Sequence, residues 1–307
     1  MIRALGADAS NLRNTMSQHG AILAGALDYD CATFDKNGLC LSFQARYSGS
    51  GNMNDGAGVL TGAYSVSPTL RIGGFIDYRV SASNPTGLKF GDQAPIFGGF
   101  AKYSEQLDGT GVQTKVAAAI NTDRVTVTRS VLDQTEAGSG KASLNSYALA
   151  GELGWGFRLD SKMIATPYVG LRYMEATRGA YSEASVAGAV DYPLAYANFH
   201  QRLTTGLLGL RLNGALDERI GYQLGAGIEY DFAQQVSHYT GTSSISGLAA
   251  FDVNPGVSSI RARATGSAGL YYQIDRTQRL TGSVAVRQPA YGSNAVSSVL
   301  LGYQAAF

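Results

Sequence analysis

The sequence predicts an all-β fold: a 12-stranded antiparallel transmembrane β-barrel with an N-terminal α-helix in the lumen. Three observations carry this. Apolar and polar residues alternate with a period of two in segment after segment between Leu39 and Phe307, as in strands with one face in lipid and one in a polar interior. The connections between segments run alternately short and long. The final segment places Val299, Leu301, Tyr303, Ala305 and the terminal Phe307 on one face.

Composition agrees. The 307 residues include 39 Gly and 18 Tyr, and only 15% are charged, low for a soluble domain of average composition. No apolar run reaches the ~18 residues of a spanning helix. A formal net charge of +1 gives no reason to expect a nucleic-acid partner. Met1-Ile2-Arg3 leads into polar sequence, with no apolar stretch and cleavage site. The chain is therefore expected to be a piece of a longer exported protein.

The first element, Ile2 to about Leu27, contains no proline and reads as a helix. Its apolar residues are Ile2, Leu5, Leu12, Met16, Ile22 and Leu23, and many other positions are Gly or Ala. Glycine lowers helix propensity, so the surroundings must hold this helix. A narrow tube would do so and would require small side chains. About 25 residues of helix span ~38 Å, enough to thread a barrel.

Twelve alternating segments follow: 39–48, 56–66, 70–82, 94–106, about 112–131, 144–159, 163 to about 183, about 200–216, 219 to about 239, 257–274, 280–289 and a last one closing at Phe307. Tight turns fall at Ser67-Pro68-Thr69, Asp108-Gly109, Asp160-Ser161-Lys162, Asp217-Glu218 and Asp275-Arg276-Thr277-Gln278. Longer polar loops are expected at 49–55, at 85–93, before the sixth segment and around 185–198. The ninth segment alternates most cleanly: Ile220, Tyr222, Leu224, Ala226, Ile228, Tyr230 and Phe232 against Gly, Gln, Glu and Asp. The domain division is therefore 1–38, helix and linker, and 39–307, barrel.

The same alternation assigns Arg46, Arg71, Asp77, Arg79, Lys102, Lys115, Glu152, Arg158, Arg172, Arg211, Glu229, Asp231, Arg261, Arg263 and Arg287 to the inward face. Facing lipid at mid-membrane, an Arg or Lys costs ~2–4 kcal/mol; facing a wet interior it can pair or stay hydrated. The predicted lumen is polar and tilted positive, and inward glycines (Gly73, Gly98, Gly154, Gly156, Gly225, Gly227) leave room for a helix or a moving peptide.

Cys31 and Cys40 enclose the turn Asp35-Lys36-Asn37-Gly38. That spacing suits a local disulfide made in an oxidising compartment, and shows no zinc-ligand pattern.

An N-terminal helix, twelve strands and a terminal Phe in about this length resemble the translocator domain of classical autotransporters (type V secretion). The local texture agrees: Thr61-Gly62-Ala63-Tyr64 with Leu70-Arg71-Ile72-Gly73-Gly74, then Thr166-Pro167-Tyr168-Val169-Gly170-Leu171-Arg172-Tyr173, then Thr205-Gly206-Leu207-Leu208-Gly209-Leu210-Arg211-Leu212. The resemblance implies a barrel in the outer membrane of a Gram-negative bacterium, in contact with its lipid and lipopolysaccharide. It implies a monomer that anchors and helps to export a passenger domain preceding it, with the helix as the tail of the passenger's path. Insertion by the barrel assembly machinery is implied, with Tyr303 and Phe307 as the C-terminal assembly signal. Some members cut the passenger off inside the barrel at an Asn-Asn pair. This chain has only Asn11 and Asn14 in that region, so self-cleavage at this candidate site is not expected.

Three other classes fit less well. A surface adhesin would act through its own loops, but the longest, around 185–198, is small. A passive outer-membrane pore or channel would start directly with a strand, whereas 38 residues precede the first strand here. An enzyme needs nucleophile and base within reach. His19, His200 and His238 stand in no such relation to a serine, and no nucleophile-elbow motif is present. No enzymatic activity, cofactor or metal is expected.

Overall fold

The computed structural model describes residues 2–51, 53–84, 87–90, 94–131, 138–185, 192–244, 249–255, 259–292 and 294–307. Among these, one helix and twelve long strands form the body. Helix α1 is Ile2–Ala26. The barrel strands are β1 Leu39–Ser50, β2 Met53–Ser67, β3 Leu70–Ser83, β4 Ile96–Ser104, β5 Gly111–Thr128, β6 Gly138–Asp160, β7 Met163–Arg178, β8 Phe199–Ala215, β9 Ile220–Val236, β10 Ala262–Gln273, β11 Gln278–Arg287 and β12 Val296–Ala306.

Each strand pairs antiparallel with its sequence neighbours, and β12 returns to β1 through a ladder from Cys40↔Ala306 to Gly49↔Ser297. The sheet is thereby closed and has no edge, the condition for spanning hydrocarbon with strands. The side chains are distributed inside-out relative to a soluble protein. Outward Phe43, Leu171, Phe232 and Leu301 are 58–63% exposed, while charged residues such as Asp77, Arg172 and Asp231 are buried. An apolar surface this continuous is too large for a soluble monomer and matches a lipid-facing band.

The connections on one end are short, and aspartates close them. Asp108, Asp217 and Asp275 accept backbone N–H groups of Thr110, Arg219 and Thr277, two residues on. These bonds hold all three carboxyls below the usual range. The opposite, loop end carries a small second sheet, Tyr181–Ser182, Leu194–Tyr196, Tyr239–Ser243 and Ala250–Val253. Short strands Leu88–Phe90 and Ala184–Ser185 also extend the wall there, on β5 and β6.

Several boundaries differ from the sequence reading, mostly at the loop end. The expected polar loop over 49–55 is a tight turn: Ser50 pairs with Met53 and Gly51 has φ +56°. β6 starts at Gly138 because it follows β5 beyond the apolar band. β7 stops at Arg178, and Tyr181–Ser182 leaves the barrel for the small sheet. The predicted start of β10 at 257, and parts of the loops at 85–93 and 185–198, lie outside the described residues.

Candidate functional site: the lumen and its helix

Helix α1 is buried along nearly its whole length, although it has neither an acidic first turn nor a basic last turn. Small side chains let it fit. Leu5, Ala9, Leu12 and Met16 pack with Tyr181, Tyr196, Tyr239 and Phe251 of the small sheet and Phe199 of β8. Tyr196 stacks on Tyr181 at 4.6 Å and meets Phe251 edge-on at 5.4 Å. The second half, Ala21 to Leu27, packs with Val59, Phe75, Phe100 and Ala117 of the wall. The helix therefore runs with its N-terminus at the loop end and its C-terminus toward the short-turn end.

Inward glycines serve the wall as much as the helix. Phe75 lies against Gly98 and Phe100 against Gly73, so a Cβ at Gly98 would stand 2.1 Å from the Phe75 ring. Those rings fill the gap to the linker, where Tyr29 meets Phe75 edge-on at 5.1 Å.

The charged side chains assigned inward from the sequence fall into three groups among the described residues. In the first, Arg46 donates from Nε to Asp77 at 2.7 Å and also reaches Asp55. Arg79 bridges Asp55 and Asp123, both at 2.6 Å, with its guanidinium 4.5 Å from the centre of the Phe90 ring. Tyr29 Oη donates to Asp77 at 2.6 Å, which joins the post-helix linker to this ladder.

In the second group Arg172 donates to Glu229 at 3.0 Å, and Arg263 holds Asp231 at 2.7 Å. Arg287 reaches Glu229 at 3.0 Å and Asp28 at 3.2 Å. Arg211 pairs with Glu152. A cavity of about 50 Å³ remains here beside the last helical turn, lined in part by Asp28, Lys115, Glu152, Arg172 and Arg287. The third group is Asp30 with Arg71 and with Lys102, the latter at 3.5 Å. Asp28 and Asp30 come just after the helix, so barrel cations lie next to its negative end.

Arg261 differs from its inward assignment. It is exposed, in the bend before β10. The β9–β10 ladder begins one residue later, at Ala262↔Tyr230, so residue 261 falls outside the alternation. Arg158 is also half-exposed, pairing with Asp108 at the short-turn rim. Four carboxylates absent from the sequence reading, Asp28, Asp30, Asp55 and Asp123, join the groups above, and they offset most of the predicted positive tilt. Asp55 falls within the loop that the sequence predicts at 49–55. The two linker acids carry a signal only once the helix is known to end beside inward cations.

Cys31 and Cys40 form a disulfide with Cα atoms 5.9 Å apart, both side chains buried. It ties the linker to the first strand at the seam where β1 meets β12. Gln304 of β12 also donates to the Asp30 carbonyl, at 3.3 Å. Tyr303 sits opposite Phe43 and donates to Gln278 at 2.6 Å. Phe307 is exposed just past β12, its N–H bonded to the Leu39 carbonyl at 2.9 Å. In the helix, the Asn14 carboxamide oxygen accepts from the Arg13 guanidinium at 3.1 Å, and Asn11 is half-buried.

The autotransporter beta-domain family matches the chain over residues 41–285. No curated protein sequence matches. Among solved structures, the translocator domain of the autotransporter NalP from Neisseria meningitidis is similar at TM-score 0.70 and 14% identity, covering 97% of this chain and 96% of that one. The transport unit of AIDA-I from Escherichia coli is similar at TM-score 0.56 and 13% identity, covering 97% and 99%. The beta domain of the Bordetella autotransporter BrkA is similar at 0.54 and 18%, covering 89% and 100%. These identities speak for the fold alone. With most of its length matched to one family, and a closed barrel threaded by its own N-terminal helix, this chain belongs to the autotransporter beta-domain family.

Proposed function

We propose that the barrel anchors in the outer membrane of a Gram-negative bacterium with its short turns in the periplasm, and carries a passenger segment joined ahead of the helix to the cell surface. One observation carries this reading: the direction in which the helix threads the lumen. Leu5, Ala9 and Leu12 lie among the aromatic residues of the loop end, whereas Cys31 is bonded to the start of β1 at the short-turn end. Anything joined ahead of Ile2 emerges on the loop face.

On this reading residues 1–38 are the trailing end of the exported segment and its tether, and 39–307 are the conduit. The paired wall residues, Arg46, Arg71, Asp77, Arg79, Lys102, Glu152, Arg172, Arg211, Glu229, Asp231, Arg263 and Arg287, give the moving peptide a polar surface and then hold the helix. Tyr303 and Phe307 are the signal read by the barrel assembly machinery. The domain works as a monomer, surrounded by lipid and lipopolysaccharide, and performs no catalysis. With no Asn-Asn pair in the helix, cleavage of the passenger by that route is not expected.

The test is an epitope-tagged segment with an export signal, fused ahead of residue 2 and produced in a Gram-negative host. The tag is expected to be accessible to protease added to whole cells. A barrel that assembles while the tag stays in the periplasm would sink the export reading.

A further inference from the structure

The Cys31–Cys40 bond sits where the barrel closes. Cys40 is the second residue of β1, on the inward face it shares with Ser42 and Arg46. Its neighbours across the sheet are Ala63 of β2 and Ala306 of β12, both buried. Cys40↔Ala306 is the last rung of the seam at the short-turn end, and the Phe307 N–H bonds to the Leu39 carbonyl just beyond it, at 2.9 Å. Pairing of β12 with β1 therefore walls off one side of the two sulfur atoms.

The linker covers the other side. Tyr29 donates to Asp77 at 2.6 Å, Asp30 pairs with Arg71, and the Asp30 carbonyl accepts from Gln304 of β12 at 3.3 Å. Past the bond, Ser65 of β2 donates its N–H to the Gly38 carbonyl at 2.8 Å. Thr33 is buried, and Phe34 packs against the same cluster as the cysteines. None of these contacts runs through a sulfur atom, so the cover forms whether or not the bond exists. Under it, Cys31 and Cys40 are both 0% exposed.

Burial of that degree has a chemical consequence. A disulfide is made by exchange: one thiolate attacks a sulfur of an oxidant's disulfide, and a second thiolate then attacks the mixed disulfide. Both steps need a sulfur that another molecule can approach. In the closed barrel neither cysteine offers one. In a chain whose β12 has not yet reached β1, the Ala306 side of Cys40 is open and the Gln304 contact to the linker is absent.

We propose that a protein disulfide oxidant closes the Cys31–Cys40 bond before β12 pairs with β1, and that folding then shields the bond from oxidant and reductant alike. The Cys31 thiolate attacks one sulfur of the oxidant's disulfide and releases the other as a thiol. Cys40 then attacks the Cys31 sulfur and frees the oxidant as a dithiol. Two cysteine thiols become one disulfide, and two electrons and two protons pass to the oxidant. This rests on the export reading only in placing that oxidant in the periplasm. The order matters for the helix. From Ala26 to Cys31 the extended chain reaches about 17 Å, whereas from Ala26 to Leu39 it reaches about 44 Å. A chain oxidised first enters assembly on the shorter leash, which keeps Asp28 within reach of Arg287.

The test uses the purified full chain folded in mild detergent, with free thiols counted by a maleimide gel shift after acid quenching. Two rates are read, each against the same chain held unfolded in urea without detergent. One is reduction of the native bond by dithiothreitol. The other is oxidation by glutathione disulfide of chain folded with both thiols free. Folding is expected to slow each rate about tenfold or more. A smaller slowing of either rate overturns the proposal. A chain that folds only when oxidised supports the order directly, and the reduction rate then decides whether the bond is shielded. Failure of the export reading shows separately: the tagged segment stays inside the cell envelope while both rates keep their values.

Discussion

At the scale of single residues, the lumen works by pairing. Arg46 is buried among Asp55, Asp77 and Ser48, and Asp77 also accepts from Tyr29. Removing one partner leaves a buried charge uncompensated, which costs about 3–5 kcal/mol. Asp77→Ala is therefore expected to lower the stability of the vesicle-reconstituted barrel by about that amount, read from urea unfolding; an unchanged midpoint would show that the ladder is solvated rather than structural. Gly98→Ala places a methyl against the Phe75 ring and within 2.6 Å of the Ala118 carbonyl. Overpacking of this kind costs about 1–3 kcal/mol, and the same unfolding assay reads it. The alternation exposed Arg46, Asp77 and Arg79 in the sequence because they sit mid-strand. It missed Asp55, whose neighbours Gly, Ser and Asn look like a loop, and it misplaced Arg261, one residue before its ladder begins.

At the scale of elements, the helix is held at both ends by different chemistry. Its first half is gripped by aromatic residues of the small sheet. Its exit is held by ion pairs at Asp28 and Asp30 and by the disulfide. Closing so short a loop contributes about 2–3 kcal/mol. Cys31→Ser/Cys40→Ser is expected to lower stability by that order and to raise hydrogen exchange at Tyr29 and Asp30; protection equal to wild type would show that the ion pairs alone hold the linker. The helix, the strands and the cysteine pair were legible because each has a local signature. The small sheet was not: its strands are two to five residues long, and Tyr196 finds its partner Gly241 some 45 positions away, with no period to betray it.

At the scale of the molecule, the barrel is closed and filled. β12 pairs with β1 and removes the last free edge, while α1 occupies the interior. A filled lumen passes little current. The intact chain in a planar bilayer is expected to show low conductance, and a chain lacking residues 2–27 a severalfold larger one. Wide-open current in the intact chain would favour a passive pore, in which the helix lies outside the barrel.

A period of two and short polar turns are local properties of the chain, so the strand number, most of the inward and outward positions, the helix and the family are legible without coordinates. Which charges meet and where the aromatic cap lies came from the three-dimensional arrangement. Those depend on register and closure, which bring together residues such as Asp28 and Arg287 from opposite ends of the chain.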